Sequence, residues 1–360
     1  MLKRAVGFIL IISVGLFYSC KDKKDKDSDK VDFNKGALLE NVSGNIIVPA
    51  LAQFNGEVSD LKSSFVTFKN DPTNVNLEVM KSHWKASYLT WQTVKIFDFG
   101  PVRLNGFKSA TGTYPVDTAK VQANMTNGAY NLATISNLDA IGLNALDYLF
   151  YKSNALSEFQ NTPAYMQYAE DVIGKLYNET QTVVNGWNSY QSTFNASTGT
   201  SSTSAFSEFV NEFNRDYELA KTAKIGIPIG KANLGLVKPE YVEARFSGIS
   251  FELLIESIKA LKATYNGNSF INGANGIGFS NYLVHLEKIN LDDLINQKFN
   301  IIQSKAEGFS VTLETAINDP SMQNQLDELY LHLQQQVVNI KTDMTSAFGV
   351  LITYQDNDGD

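Results

Sequence analysis

The 360-residue chain is 43% hydrophobic and 19% charged, enough to bury a sizeable core in one large domain or two ordinary ones. A formal net charge of −8, with no basic stripe able to neutralise several phosphates, argues against nucleic acid as a partner. The single cysteine, Cys20, leaves no intramolecular disulfide to be made.

Residues 1–19 read as an address. Lys3 and Arg4 precede the apolar run "AVGFILIISVGLFY", too short for a comfortable membrane span and suited to a signal peptide. The run ends "FYSC", and a lone cysteine placed there after small Ser19 resembles a bacterial lipobox. That resemblance implies cleavage before Cys20, with lipid on its thiol and on the new amino terminus. The plainer alternative is a secretory signal with an incidental cysteine. Lys21 to Lys30 holds no apolar residue, so 20–33 is expected to be a lipidated cysteine followed by a solvated tether. Charges set directly after a lipidated cysteine are also similar to the surface-export signals of some bacterial lipoproteins; a simple spacer explains them equally well.

From about Asn34 the pattern is helical throughout. Tyr165, Tyr168, Val172, Leu176, Thr180, Val183 and Trp187 recur at three- and four-residue steps after Pro163. Asp319 and Pro320 look like an N-cap and a first helical residue, and behind them Leu326, Leu329, Leu333, Val337, Ile340 and Met344 make a second long stripe. Strand-like alternation is rare, so the class is all-α, built from helical bundles. The small polar run Asn195 to Ser204 cannot hold a helix and marks the expected boundary between two halves, 34–200 and 201–360. Two Gly/Pro-rich stretches, "FGPVRLNGFKSATGTYPVD" and "IGIPIGKANLGLVKPE", read as long loops of the kind that carry function.

Common catalytic motifs are missing. There is no HExxH, and none of His83, His285 and His332 has a second histidine at ligand spacing, so each is expected to be an ordinary surface or interface residue. No GxSxG elbow occurs. "GANGIG" follows no strand and reads as a loop, and the terminal "DNDGD" lacks the spacing of a calcium loop.

One apolar helix carries two polar residues without obvious cause. In "GLNALDYLF", Asn144 and Asp147 share a face that everything around them asks to bury. Around it stand "WQTVKIFDFGPV", "TYPVD", "KIGIPIGK", "YVEARFSGISFELLIESIKALKATYNG", "GIGFSNYLVHL" and "AFGVLITYQDNDGD". In this order the fragments resemble the imelysin family of bacterial envelope proteins, from about Asn34 to Asp360. The resemblance implies two helical halves with a site between them, an early description as peptidases, and relatives that take part in iron uptake. The family's GxHxxE motif falls here on Gly142, Asn144 and Asp147: the histidine is an amide and the glutamate is one methylene shorter. Lys95, four residues after Trp91, stands where many members carry a glutamate. An amide oxygen is a weak, hard ligand, and a fixed ammonium repels cations.

A buried Asp147 still needs a partner, and Lys95, then Arg245, are the first choices, with Arg103 and His83 as others. The bland alternative is that Asn144 and Asp147 satisfy nearby backbone groups. The candidate site comprises Asn144, Asp147, Lys95, Arg245, Glu243, Trp91 and Arg103, with Cys20 as the lipidation site and no catalytic residue. No cofactor or metal is expected; weak divalent binding is the most that Asn144 and Asp147 could support. The favoured function is a non-catalytic binding or accessory lipoprotein of the bacterial outer membrane, periplasmic or surface-facing, tied to iron uptake and to an unidentified envelope partner or ligand. The alternatives are a metal-dependent peptidase and a surface scaffold for partner proteins.

Overall fold

The computed structural model describes residues 32–354. The expected signal peptide, the expected lipidation site at Cys20, the charged run 21–30 and the acidic tail 356–360 lie outside the described residues. Helix α1 (35–70) starts at Lys35–Asn41, where Asn34 accepts the Ala37 N–H at 2.9 Å. It passes through a π turn at Val42–Ile47 and continues as Val48–Asn70. Leu51, Phe54, Val58, Leu61, Phe65 and Phe68 form its buried face. α2 (Asn74–Val94), capped by Thr73, runs back alongside it and buries Leu77, Met80, Trp84, Tyr88 and Trp91. Each such side chain contributes about 1.5–3 kcal/mol by leaving water, so this pair is a strong nucleus for the N-terminal part.

The segment read as a long loop contains two short helices, α3 (Pro101–Leu104) and α4 (Phe107–Gly112). Pro101 sits at a helix start, where its missing N–H costs nothing, and left-handed Gly106 lets the chain begin again. α5 (Thr118–Asn127), the motif helix α6 (Gly142–Tyr151) and α7 (Ala155–Asn161) lead into the long α8 (Pro163–Ala196), which packs on α1 and α6. The stripe from Tyr165 to Trp187 is its buried face, as its spacing requires.

Residues 197–204 are non-helical, and α9 (Ala205–Leu219) follows, running on into a π turn at Ala220–Gly226. After turns over 227–249 come α10 (Ser250–Tyr265), α11 (Phe279–His285), α12 (Ile289–Glu307) and α13 (Leu313–Asn318). "GANGIG" lies in the loop before α11. The last helix, α14 (Gln323–Val337), continues through a π turn at Val338–Met344 into Thr345–Phe348, and its stripe from Leu326 to Met344 is buried. Asp319 caps the turn before it by accepting from the Ser321 N–H at 2.9 Å. α10 packs on α12 and also on α2. That contact brings the chain on either side of 197–204 together, and the described residues from Asn34 onward form one compact unit. The described residues contain no β-strand, and none of their helices is long and apolar enough to cross a membrane.

Candidate functional site

Gly142 opens the motif helix with φ +71°, and a Cβ there would run into the backbone carbonyls of Ala110 and Thr111. Only glycine lets α6 approach α4 this closely. The approach delivers Asn144 and Asp147, 2% and 1% exposed, to the turn between residues 242 and 249.

There both side chains bind backbone. Asn144 donates to the Thr113 carbonyl at 3.2 Å, and its Oδ1 accepts the Ala244 N–H at 3.2 Å. Asp147 accepts the Phe246 N–H on Oδ2 at 2.9 Å and the Ser247 N–H on Oδ1 at 3.0 Å. Ala244 lies at φ +48°, a left-handed conformation that costs a residue with a side chain free energy and persists only where surroundings enforce it. The two motif side chains supply that enforcement by holding three amides of one turn. Burial pushes the Asp147 carboxyl up to about 6, against the hydrogen bonds from Ser247 and Phe246.

The expected ion pair to Asp147 is therefore not what forms. Backbone N–H groups meet both carboxylate oxygens, and among the described residues no side-chain cation pairs with them. Arg245 reaches Glu314 instead, at 2.9 and 2.7 Å. Arg103 joins Glu208 (2.9 Å) and Glu212 (2.7 Å) on α9. His83 gathers with Glu57 and Asp60 rather than with Asp147.

A cavity of about 220 Å3 adjoins the clamp, lined in part by Pro115, Asn144, Asp147, Glu240, Arg245 and Phe246. The residues there do not suit a metal ion. Asn144 Oδ1 and both Asp147 oxygens already accept N–H groups, a guanidinium shares the wall, and Glu240 is exposed and pairs with Lys238 at 3.4 Å.

Lys95 belongs to a different cavity, of about 290 Å3, which also receives Trp91, Lys108, Tyr114, Asp216, Lys224 and Glu243. Lys95 donates to Asp216 at 2.6 Å and to Ser257 Oγ at 3.1 Å, while Lys108 reaches the other Asp216 oxygen at 3.2 Å. Lys224, placed by the π turn after α9, pairs closely with Glu243, and the Tyr88 hydroxyl donates to the same carboxylate at 3.1 Å. Burial lowers Lys95 to about 8; Asp216 pulls the other way, and nearby Lys224 and Lys108 add to the fall. At Asp216, burial works to raise the pKa, and Lys95 and Lys108 outweigh it, so the carboxyl stays below its ordinary range. Burial also drives the Tyr88 and Tyr114 hydroxyls well above theirs, with the charge of Glu243 adding to the effect.

The two constellations are joined through one peptide unit. Glu243, whose side chain lies in the ionic cavity, directly precedes Ala244, whose amide Asn144 holds. Of the residues singled out from sequence, Trp91, Lys95 and Glu243 meet in the larger cavity and Asn144, Asp147 and Arg245 in the smaller. Arg103 lines neither of the two. Sequence reasoning missed Asp216, Lys108, Lys224, Tyr88 and Tyr114. Asp216 had a signal: it stands three residues after Phe213 and seven after Phe209, an acid set into the aromatic face of α9.

Residues 47–340 match the family model described as imelysin. A segment of 79 residues is 29% identical to iron-regulated protein A of Synechococcus elongatus, a match covering 22% of this chain and 22% of that relative. Two crystal structures share the fold. One, described as an iron-regulated protein A precursor from Parabacteroides distasonis, has a TM-score of 0.71 at 15% identity, covering 87% of this chain and 95% of the other. The second, an imelysin-like protein from Psychrobacter arcticum, has a TM-score of 0.72 at 16% identity, covering 89% and 97%. With the family model matched over most of its length, this chain belongs to the imelysin family.

Proposed function

We propose that this protein is a non-catalytic binding or accessory lipoprotein of the bacterial cell envelope, held by lipid on Cys20. It takes a small anionic ligand in the Lys95–Glu243 cavity, in the service of iron uptake. One observation supports the reading: the motif's amide and carboxylate are engaged by the backbone of 244–247, which favours a structural role for them and the ionic cavity beyond Glu243 for ligand contact. That cavity is at the small end for ligand sites and combines ammonium groups with an aromatic wall, a mixture suited to a small carboxylate or its iron chelate. The iron connection rests on the names of the Synechococcus and Parabacteroides relatives.

The test is calorimetry of the full-length chain with citrate, with and without ferric iron. Saturable binding that Lys108→Ala weakens supports the proposal, since Lys108 is partly exposed and its loss leaves Lys95 to neutralise Asp216. Binding unaffected by Lys108→Ala, or no binding, overturns the ligand assignment. Metal-stimulated hydrolysis of peptides, abolished by Asp147→Asn, would overturn the non-catalytic role. Cys20→Ser should move the protein from the membrane fraction to the soluble one; unchanged membrane association would remove the anchor.

A further inference from the structure

Neither cavity includes a third cluster, on the facing sides of α1 and α2. Glu57 and Asp60 stand three residues apart on α1, so they leave the helix from one face. His83 meets them from α2. One oxygen of each carboxylate and one imidazole nitrogen lie within 4.8 Å of one another. A tetrahedral ion about 2.0–2.2 Å from each donor sets the donors roughly 3.4 Å apart, so the partly exposed side chains must rotate inward to close the set, and their exposure leaves them room to do so.

The three groups have little else to do. Among the described residues, Glu57 meets only the Gln53 amide, at 3.4 Å, and neither the Asp60 carboxylate nor the His83 ring makes a hydrogen bond or ion pair. The cations nearest in sequence are committed elsewhere. Lys81 binds Glu78 at 2.8 Å, Lys85 binds Glu252 at 2.6 Å, and Lys62 lies over the Tyr177 ring at 3.9 Å. Two carboxylates thus face one imidazole with no side-chain counter-charge. This is unlike Asp216, whose ammonium partners are in place.

We propose that Glu57, Asp60 and His83 form a binding site for a divalent transition-metal ion, with zinc the best match. One nitrogen and two carboxylate oxygens suit zinc and its neighbours, and the nitrogen disfavours calcium and magnesium. Three protein donors leave a coordination position for water, and the partial exposure gives the ion a route in. Because the donors come from two helices, the ion cross-links α1 to α2 and stabilises the folded chain by mass action. The Asn144–Asp147 clamp plays no part, and the proposal does not rest on the function assigned to the ionic cavity.

The experiment uses the full-length chain carrying Cys20→Ser, so that no thiol competes. It is stripped with chelator and titrated calorimetrically with zinc, with thermal melts recorded in parallel. One zinc site is expected, with a rise in melting temperature. His83→Ala and Asp60→Asn should each weaken binding by about tenfold or more and cancel the rise. Both residues are at least partly exposed, and circular dichroism checks that the variants fold. His285→Ala, His332→Ala and Asp147→Asn should bind zinc as the parent does. Failure of the parent to bind zinc overturns the proposal, as does full-strength binding by His83→Ala. Loss of binding in Asp147→Asn, with His83→Ala unaffected, would instead place the ion at the family motif.

Discussion

Asp147 and Asp216 are buried to the same degree, 1% and 0% exposed, yet their carboxyl groups are displaced in opposite directions. Asp147 is met by two backbone N–H groups and no cation, so burial wins and its pKa rises to about 6. Asp216 is met by two ammonium groups, which outweigh burial. The contrast shows that desolvation alone does not decide how a buried acid behaves; the charge of its partner does. It also separates two tasks. Asp147 holds a strained turn in place, and the Lys95–Asp216 and Lys224–Glu243 pairs give the adjoining cavity its charge.

The comparison can be broken most forcefully at Asp216. Asp216→Ala strands Lys95 and Lys108 around a buried hole and is expected to cost about 3–5 kcal/mol in denaturant unfolding. Asp147→Ala strands no cation and leaves two N–H groups unsatisfied, so a smaller loss of about 1–3 kcal/mol is expected. If the two losses came out in the reverse order, partner charge would not be what distinguishes the sites.

A pH series sharpens the same contrast. A carboxyl whose pKa is raised on folding takes up a proton more readily in the native state. Its contribution is therefore most favourable below about 4 and is lost as pH rises through about 6. The stability advantage of wild type over Asp147→Asn should shrink between pH 4 and pH 7, by up to about 3 kcal/mol for a shift of this size. An advantage that grows with pH would mean that a cation holds Asp147 after all. The smallest effect belongs to Arg245→Ala. Its partner is Glu314, in a pair about a third exposed, so a loss of no more than about 1 kcal/mol is expected. A loss as large as that of Asp147→Ala would restore Arg245 as the partner of Asp147.

Much of the fold was legible because helical stripes are local. The runs from Tyr165 to Trp187 and from Leu326 to Met344 carry their burial in their own spacing. Proline and glycine density misled at 99–117. Pro101 and Gly106 punctuate two short helices there that packing stabilises, rather than an open loop. Asn144 and Asp147 could be recognised as buried polar residues, but their partners could not. Those partners are backbone groups, one carbonyl 31 residues away and three amides about a hundred residues away, and a backbone group leaves no mark on the identity of its residue. Lys95 posed a similar problem, because Asp216 lies on another helix and is separated by 121 residues. The sequence offers His83 no second histidine at ligand spacing, and its companions in the fold are carboxylates on the facing helix.

Asp147 serves as a clamp on the turn carrying Ala244, and hence on Glu243. Hydrogen exchange at the Phe246 and Ser247 amides, compared between wild type and Asp147→Ala, tests this role most directly. These amides are expected to be protected in wild type, and the variant is expected to lose that protection locally, with the α1 and α2 amides unchanged. Equal protection of the two amides in both proteins would contradict this role.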